Sequence, residues 1–462
     1  MAQALEQYDV CILGAGLAGL TYAREAALQG TRVLVLERES CVGGLARTLR
    51  FGDYRFDIGG HRFHSPWPEV TAYVQALLGA DLLQVPRRSH IRLNGRLVEY
   101  PLEFPNALLA LGPATAARVS ASYLKAALTP NGRHPDVSFE QWVVRRYGRA
   151  LHDIYFRPYT EKVWGMDCSE LSADWAAERI QLPNLLAAVK GSLLKFGARP
   201  ATLISRFLYP RRGIGMIPER LARESEATGR AQVLCGCTPM GLEVMPGGWR
   251  VRWRRGGEEQ QVEAVRFVST IPLPALWEVL PREDEAPPAL DHALSYRGLV
   301  CVFLALDLPR VNDDTWTYFP DAHVGFGRIH EPRNWSPEMA PEGRTSLCVE
   351  VCSSEGDEAW RRRDGELVDQ VTADLERLEV APRKAVRDAW VLRVPAAYPC
   401  YRVGYAESLE RATAYLERRW PHLHLLGRTG TFQYLNMDAV IKQAVSLAQV
   451  QCRRAAAVVR EL

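Results

Sequence analysis

The sequence predicts an α/β protein with a parallel sheet at its centre and two large insertions. Two observations near the N-terminus lead to this prediction. A short apolar run, Tyr8 to Leu13, precedes a glycine-rich turn and a helical pattern, and a second apolar run, Thr31 to Leu36, ends on Glu37. A third observation is that strand and helix patterns return near the C-terminus. The order strand, glycine turn, helix, strand and acid is the one that a Rossmann-type dinucleotide site requires.

The glycine-rich turn has the spacing Gly14, Gly16 and Gly19. Gly14 allows the tight turn, Gly16 lets the backbone approach a pyrophosphate, and Gly19 lets the helix and strand pack closely. Leu17 and Ala18 open the helix, whose free N–H groups and partial positive charge favour a phosphate. We therefore expect all five residues to contact the cofactor.

The acid at the end of the second strand indicates which dinucleotide binds. Glu37 lies 18 residues after Gly19, where its carboxylate can accept hydrogen bonds from the ribose hydroxyls of the adenosine. A carboxylate at this place would repel a 2′-phosphate, which argues against NADP. Arg38 follows Glu37 and belongs to the expected cofactor contacts.

Composition and charge are those of an ordinary soluble protein. The chain has 462 residues, enough for two or more domains, with 47% apolar and 24% charged residues. The net charge of +3 predicts no general attraction to nucleic acid, and the lack of a long uncharged apolar window predicts no membrane span. Because the first strand begins near residue 8, we expect no signal peptide.

The ten cysteines predict neither a metal site nor a disulfide framework. Cys235 and Cys237 flank a single residue, and Cys348 and Cys352 lie four positions apart without nearby histidine pairs. These spacings are poor for zinc, and scattered thiols of this kind are typical of buried, reduced cysteines. We therefore expect a cytoplasmic protein.

Three later segments pair glycines with polar residues and are expected to complete a flavin site. They are the stretch after Glu37, the stretch Asp57 to His64, and a strand, loop and helix at Leu423 to Arg453. Glycine pairs let the chain pass close to the phosphates and ribityl chain of FAD. We do not expect either histidine to be a general base. The expected contacts are Gly43, Gly44, Leu45, Ala46 and Arg47, then Gly60, His61 and His64, and finally Gly427, Arg428, Asn436 and Met437.

The chain is predicted to divide into one discontinuous cofactor domain and two insertions. The FAD-binding domain comprises residues 1–75, 205–272 and 400–462, with a helical substrate domain at 76–204 and an antiparallel sheet substrate domain at 273–399. The helical insertion shows 3.6-residue periodicity, and the second insertion shows β-branched, alternating runs. The patterns lie at 114–128, 138–153 and 172–195 for helices and at 299–305 and 346–351 for strands.

Four strings in the chain resemble one family, the UDP-galactopyranose mutases, within the FAD-dependent amine oxidase and protoporphyrinogen oxidase clan. They are Gly59 to His64, Arg157 to Gly165, Trp175 to Arg179 and Gly427 to Tyr434. These strings are more specific than the glycine motif, which indicates only a dinucleotide. The segment 331–337 is an exception, since it is similar to relatives of unassigned function.

The resemblance implies an activity and a set of substrate contacts. The activity is a ring contraction of a UDP-hexopyranose to a furanose, with N5 of reduced FAD as the nucleophile and NAD(P)H or another reductant as the electron source. Two guanidinium groups would bracket the diphosphate, and aromatic residues would line the base and sugar pockets. Taken alone, each aromatic fits a core position and each arginine a surface ion pair. The implied substrate residues are Tyr159, Trp164, Arg179, Arg328, Tyr398 and Tyr434.

Alternatives remain open at this point. The first is an FAD-dependent oxidoreductase (an oxidase, dehydrogenase or desaturase) acting on a sugar nucleotide, amine, porphyrinogen or isoprenoid. The second is a flavin-binding protein without catalysis. The partner is expected to be a small molecule, a UDP-sugar under the resemblance, while the oligomeric state stays open.

Overall fold

Two seven-stranded sheets form the framework of the protein. The computed structural model describes residues 5–93, 95–100, 112–129, 135–180, 205–281, 290 and 292–461. None of the helices in these ranges combines the length and apolar character needed to cross a bilayer. All ten cysteines are free thiols.

The first sheet contains the predicted dinucleotide unit. Strand Gln7–Leu13 lies between Val33–Leu36 and Glu258–Ser269 and is parallel to both. The last four residues of Gln7–Leu13 and all four residues of Val33–Leu36 are buried. This burial explains why the sequence of each strand is a continuous apolar run. Strand Leu423–Leu425 pairs in parallel with Glu258–Ser269, so the C-terminal segment joins the same sheet. The other strands of this sheet are Ala231–Leu234, Thr238–Met245 and Gly248–Arg255.

Three helices cover one face of this sheet. Helix Leu17–Leu28 packs against Met216–Ala227 and against the C-terminal helix Met437–Glu461. Leu20 and Ala23 of the first helix are fully buried in the shared apolar core with Ile441 and Ala444 of the last one. The predicted cofactor unit therefore includes the end of the chain.

The second sheet is built around strand Tyr296–Leu306, which is buried along nearly its whole length. It pairs antiparallel with Thr345–Cys352 on one side and Val386–Pro399 on the other, in agreement with the strand patterns at 299–305 and 346–351. The remaining strands, in spatial order, are Arg328–His330, Trp316–Tyr318, Ser89–Leu93 and Arg96–Glu99.

The last two of these strands come from the range 76–204, for which a helical domain is expected. Ser89–Leu93 pairs in parallel with Trp316–Tyr318, and Leu82–Pro86 pairs with Arg206–Pro210 in a small sheet of its own. The start of this mostly helical range therefore contributes strands to two sheets. The domain boundaries themselves stay a prediction.

Among the described residues of that range, the main helical part lies from Pro113 onward. Helix Phe139–Tyr147 begins at Ser138, whose hydroxyl accepts from Gln141 N, and Ala173–Arg179 begins at Ser172 in the same manner. The helix predicted at 172–195 is described only to Arg179, and residues 181–204 lie outside the described part. The helices here are Pro113–Leu128, Phe139–Tyr147, Arg149–Leu151, a π turn at His152–Phe156, Arg157–Trp164 and Ala173–Arg179. The other helices are Pro68–Leu78, Leu273–Val279, Glu358–Arg361, Asp364–Arg377, Tyr405–Arg419 and Gly427–Gly430, and a two-stranded sheet joins Thr48–Phe51 to Tyr54–Asp57.

A buried arginine attaches the helix Arg157–Trp164 to the second sheet. Arg297 is 5% exposed, and its Nε donates to the carbonyl of Val163 at 2.9 Å. Its two terminal nitrogens donate to Asp357 Oδ2 at 2.6 Å and to the carbonyl of Cys352 at 2.7 Å. Arg297 therefore fixes the position of a helix that carries two of the expected substrate residues.

Replacing Arg297 by methionine should lower the free energy of unfolding by about 3 kcal/mol, because two buried carbonyls lose a charged donor. Urea unfolding of the variant measures this. Arg96→Met, at an exposed position of an outer strand, is the control and should unfold like the parent. A loss well below 1 kcal/mol for Arg297→Met would show that the helix is held by other contacts.

Candidate active site

The glycine-rich turn leaves an open space at the start of helix Leu17–Leu28. A Cβ atom on Gly14 would lie 2.3 Å from Thr270 Oγ1, and one on Gly19 would lie 2.1 Å from the carbonyl oxygen of Gly14. A Cβ atom on Gly16 would meet nothing closer than Gly44 Cα at 4.0 Å. No side chain among the described residues caps the helix, so the space beside Gly16 fits a pyrophosphate.

The second glycine pair lies directly against this turn. Gly43 has φ of +114°, forms a β-bridge with Gly16, and donates its N–H to the carbonyl of Ala15 at 2.8 Å. Gly44, Leu45 and Ala46 form a short 3₁₀ turn, and Ala46 packs in the core. The two glycine segments therefore form one continuous cradle.

Arg47 follows the 3₁₀ turn and faces inward. Its side chain is only 13% exposed, and its Nε is buried without a hydrogen-bond partner in the described structure. The nearest acid, Glu39, lies 3.5 Å from its Nη1. A buried, unsatisfied guanidinium nitrogen beside a phosphate cradle is what an anionic cofactor would satisfy.

Two backbone N–H groups hold the carboxylate of Glu37 just after strand Val33–Leu36. One carboxylate oxygen accepts from Ala15 N at 2.8 Å and the other from Glu39 N at 2.9 Å, and the residue is 8% exposed. Each oxygen keeps a second lone pair for a ribose hydroxyl. Arg38 is different, since its side chain is 65% exposed and lies 3.6 Å from Glu39. Its contact with a cofactor stays a prediction.

The C-terminal loop closes the cradle from the far side. Gly427 has φ of +77°, and a Cβ atom there would lie 2.6 Å from the Cβ of Ala18. Its N–H donates to Gln443 Oε1 at 3.0 Å, and Arg428 Nε donates to the carbonyl of Leu435 at 2.8 Å. Met437 begins the last helix. Residues from both ends of the chain thus meet at one place, while Asn436 is exposed beside the loop.

A buried ion pair lies beside the Gly59–Gly60 loop. Arg328 donates from Nε to Glu350 Oε1 at 2.8 Å and from Nη2 to Glu350 Oε2 at 2.5 Å. The two residues face each other across neighbouring antiparallel strands. Glu350 also accepts from Gly60 N at 3.1 Å, which ties the loop to the second sheet.

The ion pair keeps both of its members charged. Burial is the largest single influence and would raise the pKa of Glu350, but the charge and hydrogen bonds of Arg328, together with neighbouring His330, outweigh burial and lower this pKa to about 2. Burial opposes the charge on Arg328, yet the carboxylate of Glu350 raises the pKa of Arg328 well above its ordinary value. Arg328 keeps one terminal nitrogen, Nη1, free of Glu350, and its side chain is 23% exposed.

The two predicted histidines differ in environment. Burial, assisted by the charge of Arg428, lowers the pKa of His61 to about 4, and its Nδ1 is buried without a hydrogen-bond partner in the described structure. His61 is therefore neutral near pH 7. His64 is exposed, and burial of part of its ring together with the charge of Arg62 lowers its pKa.

Stacked tyrosines adjoin Arg428. The rings of Tyr398 and Tyr434 lie 5.5 Å apart and are nearly parallel, and Arg428 Cζ lies 4.9 Å from the centroid of Tyr434. Trp164 contacts Tyr398 edge-on at 6.4 Å. Tyr159 contacts a different ring, that of Tyr318, edge-on at 6.2 Å.

The structure brings together most of the predicted substrate residues. Arg328 Cζ lies 6.0 Å from the Tyr318 ring, so Arg328 connects the Tyr159 side to the Gly59–Gly60 loop, which is called the flavin-side loop below because a flavin is expected beside it. Arg179 ends the helix Ala173–Arg179, but its side chain lies outside the described part, so its place opposite Arg328 stays a prediction.

Sequence reasoning missed Glu350 and Tyr318. A signal for Glu350 was present, because it is the one acid within the apolar strand pattern at 346–351, and such an acid needs a buried partner. Tyr318 lies in a strand of three residues, which is too short for a periodicity.

The ion pair predicts a loss of stability in acid. Glu350 titrates near 4.5 in the unfolded chain and near 2 in the folded protein. Its stabilisation is therefore complete above about pH 4.5 and declines as the pH falls toward 2. Urea midpoints measured from pH 6 to pH 3 should show this decline below pH 4.5, and Glu350→Gln should flatten it. An equally steep decline in the variant would assign the acid sensitivity to other groups.

Comparisons with known proteins agree with this geometry. The family described as flavin containing amine oxidoreductase matches residues 17–449. A Klebsiella pneumoniae protein named probable UDP-galactopyranose mutase is 30% identical over 95% of this chain and 94% of its own length. The chloroplastic protoporphyrinogen oxidase 1 of Arabidopsis thaliana is 24% identical over 88% of this chain and 81% of its own. A crystal structure of reduced UDP-galactopyranose mutase has a TM-score of 0.84 at 22% identity, covering 96% of this chain and 94% of that one.

These matches confirm the predicted fold class and the flavin cofactor. The glycine cradle, the inward-facing Arg47 and the closing C-terminal loop fit FAD independently of the comparisons. The chain belongs to the FAD-dependent family of flavin-containing amine oxidoreductases and is similar to UDP-galactopyranose mutase over almost its whole length.

Proposed function

We propose that the protein interconverts the pyranose and furanose forms of a nucleotide-diphosphate sugar, using reduced FAD. The observation that carries the proposal is the position of Arg328, which is joined through Glu350 to the backbone of the flavin-side Gly60 and flanked by tyrosines. An aromatic pocket beside a flavin, with Nη1 of Arg328 free of Glu350, fits an anionic substrate that carries a base. The similarity to the Klebsiella pneumoniae protein supports the same proposed activity.

The residues of the cradle would hold the cofactor by backbone contacts and by one cation. Gly14, Gly16 and Gly19 leave room for the pyrophosphate, while Glu37 accepts from the adenosine ribose and Arg47 neutralises phosphate charge. When bound and reduced, FAD supplies a nucleophilic ring nitrogen, N5. The loop at Gly60 and His61 would lie beside the ring, with His61 neutral and so unsuited to act as an acid near pH 7.

The pocket residues would grip the leaving group and orient the sugar. Arg328 Nη1 remains free to bind a phosphate oxygen while Glu350 fixes the rest of the guanidinium. Tyr398 and Tyr434 would donate hydroxyl hydrogen bonds to the diphosphate, Tyr159 would stack on the base, and Trp164 would line the sugar pocket. Arg179 is proposed as the second diphosphate ligand.

Anaerobic turnover of the reduced protein tests the proposal. The FAD-loaded protein is reduced with dithionite, incubated with UDP-galactopyranose or another UDP-hexopyranose, and analysed for the furanose by chromatography. We expect furanose with the reduced protein and none with the oxidised protein. Turnover that occurs only with oxidised protein and an electron acceptor would contradict the proposal.

A second candidate is an FAD-dependent oxidoreductase, which the similarity to protoporphyrinogen oxidases favours. The charged pocket at Arg328 favours an anionic substrate for this candidate as well, such as a sugar nucleotide. For the isomerase the electron source is NAD(P)H or another reductant, and for the oxidoreductase the substrate reduces the flavin and an electron acceptor reoxidises it. A cytoplasmic location belongs to the proposal in either case.

A further inference from the structure

Two arginines near the flavin-side loop lack a carboxylate partner among the described residues. Arg62 directly follows His61, and its Nη1 is buried without a hydrogen-bond partner in the part of the chain that the structure describes. Within that part, Arg87 donates only to uncharged oxygens, namely Ser89 Oγ at 3.1 Å and the carbonyl of Tyr100 at 3.4 Å. By contrast, buried Arg297 and partly buried Arg328 each pair with an acid.

The two guanidinium groups share one aromatic ring. Arg62 Cζ lies 5.5 Å and Arg87 Cζ lies 5.4 Å from the centroid of Trp316, and Arg87 also lies 5.2 Å from the Tyr100 ring. Both cations therefore adjoin the same ring, although like charges repel. Burial lowers the pKa of Arg62, and the charge of Arg87 lowers it further. Burial also lowers the pKa of Arg87. Partly buried cations of this kind are costly without an anion.

The pair adjoins the proposed substrate pocket. Tyr100 contacts Tyr318 edge-on at 5.1 Å, and Tyr318 in turn contacts Tyr159 and lies beneath Arg328. The strand that follows Arg87 pairs directly with the strand that carries Trp316, in the register Ser89 to Trp316. Aromatic rings therefore connect the two cations to Arg328.

The charges of the pocket residues indicate that positive charge for a diphosphate must come from residues other than Arg328. Arg328 is neutralised by Glu350, so this pair brings no net positive charge to a diphosphate. Arg62 and Arg87 add two positive charges without an acid in the described structure, and the diphosphate of a nucleotide sugar carries about two negative ones. Guanidinium groups bind phosphoryl oxygens through parallel N–H bonds.

We propose that Arg62 and Arg87 form a phosphoryl-binding site in the substrate pocket, additional to Arg328. The site would bind a phosphoryl group of the substrate's diphosphate. The identity of this ligand rests on the proposed function. Arg328, fixed by Glu350, would then orient the ligand, while Arg62 and Arg87 supply the compensating charge.

Binding of inorganic pyrophosphate to the oxidised, FAD-loaded protein tests the site without any turnover. Isothermal titration should show binding to the parent and at least tenfold weaker binding to Arg62→Gln and to Arg87→Gln. The matched control is Arg88→Gln, whose side chain is 62% exposed and paired with Asp313, and which should bind like the parent. Failure of the parent to bind, or unchanged binding in both pocket variants, would overturn the proposal.

Thermal melting separates a ligand site from a structural role. Without ligand, Arg62→Gln should melt at or above the temperature of the parent, because it removes an uncompensated cation. With pyrophosphate, the parent should gain more stability than the variant. A variant that melts well below the parent and gains as much from pyrophosphate would show that Arg62 is structural, which overturns the proposal.

The furanose assay distinguishes this proposal from the proposed function. Pyrophosphate binding that depends on Arg62 and Arg87, together with a negative furanose assay, would refute the isomerase and leave the phosphoryl site standing. Furanose formation with an unchanged KM in Arg62→Gln and in Arg87→Gln would refute the site and leave the isomerase standing.

Discussion

Replacing Glu350 by glutamine should lower the free energy of unfolding by about 3 kcal/mol, as expected when one member of a buried ion pair is removed. Glu350 is 4% exposed at its side chain and holds both Arg328 and the backbone of Gly60. The neutral amide leaves the guanidinium of Arg328 without a counter-charge. The expected loss lies at the lower end of the usual cost of breaking a buried ion pair, because Arg328 keeps 23% of its side chain exposed. Chemical denaturation of the variant and the parent at pH 7 measures the loss.

Two further variants make this prediction specific. Adding Arg328→Met to Glu350→Gln should recover part of the lost stability, because it removes the unpaired cation. The control is Glu366→Gln, which neutralises an acid paired with Arg363 at the surface. Glutamine still suits the capping box that Glu366 forms at the start of its helix, so the denaturation midpoint should stay unchanged. If the double variant is less stable than Glu350→Gln, the loss does not arise from an uncompensated charge.

The second large effect is expected at the glycine-rich turn, where one alanine substitution should weaken FAD binding and another should destabilise the fold. Gly16 has φ of −76°, which alanine adopts freely, and its Cβ would meet nothing closer than Gly44 Cα at 4.0 Å. Gly16→Ala should therefore fold like the parent without cofactor but bind FAD at least tenfold more weakly, about 1.4 kcal/mol or more. The added methyl group would occupy the space meant for the pyrophosphate.

Gly19→Ala should instead destabilise the protein itself. Its Cβ would lie 2.1 Å from the carbonyl oxygen of Gly14, so backbone must move, at a cost of about 1–3 kcal/mol or more. Gly365→Ala, at a position with open space around it, is the control for both variants. Apoprotein melting and FAD titration separate the two effects. Full FAD affinity in Gly16→Ala would mean that the pyrophosphate lies elsewhere.

Local sequence patterns were sufficient for the cofactor half of the fold. The strand, turn and helix at Gln7–Leu28 depend on neighbours within the same stretch, so the motif alone predicts them. The long helix at the C-terminus and strands Tyr296–Leu306 and Thr345–Cys352 also follow from periodicity.

Distant pairings were not predictable in the same way. Strand Ser89–Leu93 joins the second sheet by pairing with Trp316–Tyr318, more than 200 residues away along the chain, and nothing within either segment indicates this partner. The same reason applies to Glu350, whose role arises only from the register that places it opposite Arg328. The Arg62 and Arg87 pair likewise depends on a shared ring, that of Trp316.

The central claim is that the flavin cradle and the Arg328 pocket form one site for a nucleotide diphosphate. Titration of the oxidised, FAD-loaded protein with UDP, followed by the flavin absorbance spectrum, tests it most directly. We expect UDP to shift the spectrum of the parent and to bind Arg328→Ala about 2–4 kcal/mol more weakly, the scale for losing one partner of a desolvated charge pair. UDP that binds without changing the flavin spectrum, or that binds the variant as tightly as the parent, would contradict the account.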